Sequence, residues 1–403
     1  MELFKLEHKK LWRRGSVKIC ILLCFVYIVV FGSILSYQWF TYGSSNDVTN
    51  VFGNNFDGFS MIRKRQEYSL EFGGKLTEET LQQLVGDYQR MEAVGTKDEL
   101  EKADMVIIEY WLRTLWPELC GADSYQMMMS YVDTNKLTDF YERRQQVIKT
   151  CLDNDDRTEE EKEYLLQMEQ KVEKPFRYEW AEGWLQILRS IVSDIGLVMA
   201  LFLAIVLSTM FAGEWHSNAS PLVLTTKNGW EKIAVVKIFV GVVFAVELFT
   251  ILAVGSIVSQ IFFFGTKGWD MQIQTIMLTA VAPMNMLQAE IYEYAFTLLG
   301  AIGFAGVVML LSAVVKNNVL ALLLSLAVAY GPTMIAKYLP YGVKRALDFI
   351  PLVGNSTEIF DTYTFHLLGK IIWSPYLLMI VPVLIGIACM PAAVKSWSRR
   401  LKF

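Results

Sequence analysis

Residues 211–237 read FAGEWHSNASPLVLTTKNGWEKIAVVK and join two long apolar segments. An acidic residue, Glu214, follows the first segment, and two lysines, Lys232 and Lys237, mark the return to the second. Between them lie an apolar patch at 222–224 and a Thr-Lys-x-Gly turn. An apolar patch flanked by charges is typical of a short helix that lies on a membrane surface. The stretch therefore predicts a membrane protein with a connector on which a soluble partner could push.

The composition extends this prediction to the whole chain. Hydrophobic residues make up 53% of the sequence and charged residues 19%, which favours a membrane protein. A helix needs about 20 mostly apolar residues to cross a bilayer. The segments that reach this length are 17–40, 186–211, 233–261, 295–315, 319–337 and 373–394. We expect an all-α polytopic fold with six transmembrane helices and a mainly helical extracellular domain inserted between helices 1 and 2.

The basic residues predict the orientation of these helices, because lysine and arginine accumulate on cytoplasmic flanks. The N-terminus (1–16) and the tail (395–403) are both basic, and the connector at 212–232 adds more lysine. An even number of spans places both termini and this connector on one side, so all three are predicted to be cytoplasmic. The first span follows a basic region but has no small-residue cleavage site, which favours a signal anchor over a cleaved signal peptide.

The segment at 41–185 is the part long enough to form a separate soluble domain. Residues 41–188 contain 29 acidic and 17 basic side chains, so the acidic excess of the chain is concentrated here. Apolar residues recur at helical spacing, and Thr96 and Thr158 each begin a Thr-x-x-Glu pattern that predicts a capped helix. Cys120 and Cys151 both fall in this segment, where an oxidising exterior would allow a disulfide, although their spacing does not establish one. The charge pattern gives no indication of a nucleic-acid partner.

The two later outer connectors, 262–294 and 338–372, are apolar but interrupted by proline and glycine. Non-helical backbone enters a membrane only where protein or water covers its polar groups. We therefore expect short re-entrant or surface-lying helices in both connectors.

The sequence lacks the motifs of familiar catalytic and metal sites. It has no Gly-x-x-x-x-Gly-Lys-Ser/Thr loop for a nucleotide, and its three histidines are widely separated. No catalytic residue, metal site or cofactor is predicted for the chain itself. One ionisable residue, Glu247, lies near the middle of the third span. Such residues often act in transport pathways or proton relays, but a hydrogen-bonded glutamate that joins two helices is the favoured interpretation.

The architecture and the stretch at 211–237 together resemble bacterial ABC-2 type transporter permeases, particularly the Firmicutes kind with a large outer domain between the first two spans. The family typically has an aromatic residue, an acid, a small-residue turn, an apolar run, Ser/Thr-Lys-x-Gly and a final lysine. The residues that fit these places are Phe211, Glu214, Leu222, Leu224, Thr226, Lys227, Gly229 and Lys237. Trp230 stands where the family often has arginine.

The resemblance implies a multi-pass protein of the bacterial plasma membrane that transports a substrate with energy from a separate ATPase. Two copies of the ATPase subunit would bind ATP beneath two permease chains, and a coupling helix in the 212–232 connector would contact the ATPase. The residues that this implies for coupling are Glu214, Leu222, Leu224, Thr226, Lys227, Gly229 and Trp230.

Two other functions remain open from the sequence. The outer domain could bind a peptide or antibiotic as a membrane sensor, or polar residues facing each other within the spans could form an intramembrane enzyme. The substrate is not predicted beyond peptides, antibiotics, lipids or other amphiphiles, with export favoured over import. The sequence also leaves open whether the second permease chain is identical or different.

Overall fold

The computed structural model describes residues 2–35, 59, 62–63, 66–67, 73–93, 105–119, 128–154, 157–190, 194–216, 231–353 and 359–399. These residues are mostly helical. The helices are α1 (Glu2–Trp12), α2 (Gly15–Val29), α3 (Glu78–Ala93), α4 (Met105–Leu115), α5 (Phe140–Asn154), α6 (Glu159–Glu169), α7 (Glu182–Ser190), α8 (Gly196–Leu207), α9 (Thr209–His216), α10 (Glu231–Phe264), α11 (Met286–Val314), α12 (Asn318–Ile335), α13 (Tyr341–Leu347) and α14 (Ser374–Arg399).

Strands are few and short. Strand β1 (Gly74–Lys75) pairs antiparallel with β2 (Arg177–Tyr178). Strand β3 (Thr364–Leu367) pairs antiparallel with β4 (Lys370–Trp373), with Thr364 opposite Trp373. The turn of this hairpin contains Leu368 and Gly369, both with positive φ. The fold is therefore all-α in its main elements, as predicted.

Six helical segments are long and apolar enough to cross a membrane, which indicates a multi-pass membrane protein. They are Gly15–Ile34, Gly196–Trp215, Glu231–Phe264, Met286–Val314, Asn318–Tyr338 and Ser374–Arg399. All six contribute to one apolar core, in which α8, α10 and α11 provide most of the buried side chains. In this core α11 crosses α14 at Gly303 and Gly386, where a Cβ on Gly386 would overlap the backbone of Gly303. Such close approach of small residues is typical of helix contacts in membranes.

Two of these segments begin elsewhere than the sequence predicts. The predicted second span starts at residue 186, but residues 182–190 form the separate amphipathic helix α7, and the apolar segment starts at Gly196. The fourth segment begins earlier than predicted, at Met286. Its start is fixed by a capping box in which Asn285 and Gln288 bond each other's backbone amides.

The inserted segment between α2 and α8 forms its own apolar core. Aromatic side chains lie at its centre, with Trp111, Trp116, Phe140 and Phe176 nearly inaccessible to solvent. The capping box predicted at Thr158 is confirmed, since Thr158 and Glu161 bond each other's backbone amides at the start of α6. The second predicted box, at Thr96, lies outside the described residues. This domain is helical, as expected.

Glu161 also joins α6 to the β3–β4 hairpin. Thr364 Oγ1 donates to Glu161 Oε1 at 2.6 Å, and His366 Nε2 lies 3.1 Å from the same oxygen. Burial alone would raise the pKa of Glu161. Hydrogen bonds from Thr364 and Thr158, together with His366, outweigh burial and lower this pKa from 4.5 to about 2.

We expect acid to loosen this junction. A carboxyl with a lowered folded-state pKa contributes stability above its ordinary pKa and loses it as the pH falls towards the folded value, here from 4.5 to about 2. Hydrogen exchange of α6 and the hairpin, corrected for intrinsic rates, should increase between pH 5 and pH 3. Glu161→Gln should remove most of this response, whereas Glu142→Gln, at an exposed position on α5, should not. An unchanged acid response in Glu161→Gln would contradict the assignment.

The connector after α10 is a folded loop instead of a re-entrant helix. Residues 265–285 contain a single 3₁₀ turn, Ile273–Thr275, and their apolar side chains belong to the core of the inserted domain. Trp111 Nε1 donates to the Thr275 carbonyl at 2.7 Å. Two further carbonyls of the loop, at Leu278 and Ala280, accept from the Arg144 guanidinium at 2.8 and 2.9 Å. The inserted domain covers these backbone groups, which is why the apolar loop needs no membrane around it.

The later connector, 338–372, contains the short helix α13 and most of the β3–β4 hairpin. The segment between them, 348–363, includes residues 354–358, which lie outside the described residues. Arg157 holds the connector to the inserted domain through Thr362, with bonds to its carbonyl and hydroxyl oxygens. Both late connectors thus pack on the domain between α2 and α8.

Candidate functional site

The two ends of the 217–230 connector are joined by a buried ion pair. Lys237 on α10 is inaccessible to solvent and Glu214 on α9 is 5% exposed. Lys237 Nζ donates to Glu214 Oε1 at 2.7 Å and to the Met210 carbonyl at 3.2 Å. Moving α9 and α10 apart would leave a buried charge without its partner, which is energetically costly. The ion pair therefore opposes separation of the two helices. Glu214 and Lys237, which flank the connector in the sequence, therefore hold the helices at its two ends together.

The N-terminal helix completes this site. Glu7 Oε2 accepts from Lys237 Nζ at 3.2 Å, and Lys10 Nζ donates to Glu214 Oε1 at 3.1 Å. Glu7 is buried on α1, whereas the Lys10 side chain is 50% exposed. The four residues Glu7, Lys10, Glu214 and Lys237 are here called the connector-base cluster. It holds two positive and two negative side chains and ties α1, α9 and α10 together.

A break in the second apolar segment lies just before the cluster. Helix α8 ends at Leu207 and α9 begins at Thr209, with Ser208 between them. Ser312 on α11 enters this break: its Oγ donates to the Ser208 carbonyl at 2.6 Å and accepts from the amides of Phe211 and Ala212 at 3.0 and 3.1 Å. A side chain inserted into the helical ladder is a recognised cause of a kink. The break separates α9 from α8 within the second apolar segment.

We expect Ser312→Ala to destabilise the protein by about 1–3 kcal/mol, because it removes a buried partner from two backbone amides and one carbonyl. Unfolding in mixed detergent micelles measures this change. Ser325→Ala is a matched control, since the buried Ser325 hydroxyl only donates back to the Ala321 carbonyl of its own helix. Equal effects of the two substitutions would show that Ser312 has no special role at the break.

Glu247 lies halfway along α10 and faces α1. His8 Nε2 lies 2.9 Å from Glu247 Oε1, and Trp12 Nε1 donates to Glu247 Oε2 at 3.0 Å. The 34 residues of α10 span about 51 Å at 1.5 Å per residue, which is longer than the ~30 Å hydrocarbon core. Roughly two-fifths of α10 therefore exceeds this thickness and is available to pack on the charged helix α1. These contacts fit a structural role for Glu247 in joining two helices.

Several predicted site residues cannot be placed. Of the coupling residues, Glu214 lies in the connector-base cluster, whereas Leu222, Leu224, Thr226, Lys227, Gly229 and Trp230 lie outside the described residues. Cys120 also lies outside them, and Cys151 is exposed on α5. The proposed disulfide therefore stays a prediction. Within the described ranges no group of three or more His, Cys, Asp or Glu side chains is arranged to hold a metal ion.

The predictions from the sequence do not include residues of α1 or the last helix at this site. Glu7 and Lys10 are hidden within a basic N-terminus that looks like an ordinary topology signal. Trp397 near the end of α14 is fully buried, and its ring packs on Phe211 and Trp215 at centroid distances of 5.3 and 5.9 Å. Two features of the sequence could have indicated these contacts: isolated acidic residues such as Glu7 within a basic segment, and Trp397 in a polar tail.

Two buried acids lie in a stretch that the sequence predicts as a connector, 262–294. Glu290 and Glu293 lie one turn apart on α11 and are 3% and 0% exposed. Neither carboxylate oxygen of Glu290 has a hydrogen-bond partner among the described residues. Both acids lie in the N-terminal part of α11, near the opposite end of that helix from Ser312.

No known protein family, curated protein or solved structure significantly matches this chain.

Proposed function

We propose that this chain is the permease subunit of an ABC-2 type transporter, with ATP hydrolysed by a separate subunit. The single observation that carries the proposal is the connector-base cluster. It links the 217–230 connector at both ends to α9, α10 and α1 through buried charges. A partner that moves the connector would thus act on three helices at once.

The proposed movement depends on two features at this end of the bundle, the connector-base cluster and the break at Ser208. Buried ion pairs resist separation, so α9 and the start of α10 would move together with the connector. The break at Ser208 would let α9 turn while α8 stays packed in the core. Interfaces with two discrete packings convert such a push into a larger rearrangement. In this proposal, ATP-driven closure of two partner subunits tilts the bundle and opens a path for a peptide, antibiotic or other amphiphile.

The topology of this proposal has both termini and the 217–230 connector in the cytoplasm of a bacterial cell and the inserted domain outside. Six membrane crossings and the lysines and arginines of α1 and the tail support this orientation. A second permease chain, identical or different, would complete the path. Export is the favoured direction of transport.

A gentle detergent pull-down of the chain from its native cell tests the partnership. We expect a soluble ATP-binding protein to remain bound, and to be lost when residues 222–230 are replaced. If no ATP-binding subunit is recovered under several mild conditions, the permease proposal fails.

Lys227→Glu combined with Gly229→Pro tests the coupling role of the connector. We expect this double variant to insert and fold but to lose at least tenfold of ATP-dependent transport, because the charge reversal and the proline alter the surface offered to the partner. Transport into inverted vesicles is the readout. Lys344→Glu with Gly342→Pro, on α13, is the matched control. Normal transport by the connector variant would contradict the assignment.

A membrane sensor is the second candidate, and one cleft favours it. A cleft of about 690 Å³ lies between the inserted domain and the 265–285 loop, with Lys171, Arg177, Asp270 and Gln274 among its lining residues. Gln274 is fully buried, and its Oε1 has no hydrogen-bond partner among the described residues. A ligand bound in this cleft would contact both the inserted domain and the 265–285 loop. A sensor must couple these two parts to pass on a signal. Peptide binding to the chain without any ATP-binding partner would favour this function over transport.

A further inference from the structure

An apolar groove lies at the end of the helix bundle that contains the connector-base cluster. The proposed transport cycle does not use this groove. The groove has a volume of about 1060 Å³ and lies between α10, α11 and α14. Most of its walls are apolar and include Val235, Phe239, Ile387, Met390 and Pro391. Phe239 is 61% exposed and Ile387 is 50% exposed, so large apolar side chains are open along it.

A proline within α14, Pro391, lies in the wall of the groove. Pro391 has no amide hydrogen, so the Ile387 carbonyl one turn earlier receives no helical bond, and the proline ring crowds that carbonyl. A helix bends at such a position. Both residues line the groove. The wall of the groove that α14 forms therefore includes a position at which helices commonly bend.

Charge is confined to one end of the groove. Lys395 and Arg399 lie on the last two turns of α14 and are exposed, and Glu231 lies at the start of α10. None of the three forms an ion pair with another residue in the described part of the chain. The groove thus has a net positive end and an apolar remainder, ordered along the helix axes.

We propose that this groove is a binding site for one anionic phospholipid, with its phosphate at Lys395 and Arg399 and its acyl chains on the apolar walls. Basic pockets between membrane helices bind acidic headgroups, and each nearby lysine or arginine strengthens that attraction. The polarity of the groove runs from charged to apolar in the same order as a lipid. The proposal requires that the six apolar helices cross the membrane and is independent of the ATPase partnership.

A second copy of the chain fits this groove less well. Two copies in one membrane are related by an axis along the membrane normal, and the same patches meet across a twofold interface. That arrangement would bring Lys395 and Arg399 towards their equivalents in the other copy, where like charges repel. A phosphate instead neutralises them.

Native mass spectrometry of the full chain in neutral detergent tests the proposal, with phosphatidylglycerol and phosphatidylcholine of identical acyl chains as probes. We expect one phosphatidylglycerol to bind at least about tenfold more tightly than phosphatidylcholine. Lys395→Gln with Arg399→Gln should abolish this preference. Arg13→Gln with Lys18→Gln removes two exposed charges near the N-terminus and should leave it intact. Equal binding of the two lipids, or equal loss in both variants, would overturn the proposal.

A substitution that fills the groove distinguishes lipid bound in the groove from lipid attracted non-specifically by the basic residues. Ile387→Trp should displace both lipids while the protein keeps its unfolding temperature, since Ile387 is half exposed. Retention of phosphatidylglycerol by this variant would show that the lipid sits elsewhere. Disulfide formation between two chains that each carry Phe239→Cys would identify a second copy as the occupant and also overturn the proposal.

Discussion

Lys237→Met is expected to lower the free energy of unfolding by about 3–5 kcal/mol, the usual cost of removing one partner from a buried ion pair. Methionine keeps most of the unbranched stem of lysine, so the loss comes mainly from charge and hydrogen bonding. Glu214 and Glu7 would lose the ammonium group 2.7 and 3.2 Å away, and the Met210 carbonyl would lose its donor. Denaturation in mixed detergent micelles measures the change.

Two companion variants make this prediction specific. Glu214→Gln added to Lys237→Met should recover part of the loss, because the buried carboxylate no longer needs a partner. Lys232→Met removes an exposed lysine from the same end of α10 and should change stability by less than about 0.5 kcal/mol. A full-sized effect at Lys232, or none at Lys237, would contradict the cluster as described.

Arg144→Met is the second change for which we expect a loss of about 3–5 kcal/mol. Arg144 and Glu169 are each 1% exposed, and Arg144 Nη1 donates to Glu169 Oε1 at 2.6 Å. The same guanidinium holds the Leu278 and Ala280 carbonyls of the 265–285 loop. Methionine would leave the Leu278 carbonyl without this donor and the Ala280 carbonyl with Gln274 Nε2 alone, at 3.3 Å. The buried Glu169 carboxylate would keep only Lys174.

The loss should be localised and should depend on pH. Burial would raise the pKa of Glu169, but Lys174 and Arg144 outweigh it and hold this pKa below its ordinary value. The ion pair therefore contributes stability near neutral pH and loses it as the pH falls through the lowered pKa. The destabilisation by Arg144→Met should accordingly shrink in acid.

Hydrogen exchange should show the change first in residues 265–285. Arg143→Met on the same helix is the control, because Arg143 pairs at 2.6 Å with Glu118, whose side chain is 53% exposed. An exposed pair contributes about 1 kcal/mol or less. Similar loop exchange in the two variants would refute the view that Arg144 fastens the loop.

Local patterns in the sequence predicted much of the fold. Long apolar runs gave the six membrane-competent helices, because a run of this length can bury its backbone only as a helix. The Thr158–Glu161 capping box was readable because its two hydrogen bonds join residues three positions apart. The ends of the connector, Glu214 and Lys237, stood out as charges at the borders of apolar runs. The start of α11 was less clear, since Glu290 and Glu293 interrupt its apolar pattern.

The sequence by itself therefore determined which segments are helices long enough for a membrane and where the charged connector lies between them. The tertiary structure alone decided which distant groups meet: Glu7 with Lys237, Ser312 with the break at Ser208, and Arg144 with the 265–285 loop. The physical reason is the range of the interactions. Helix length and caps depend on neighbours within a few residues, whereas a buried charge or amide is satisfied by whichever group packing brings within about 3 Å.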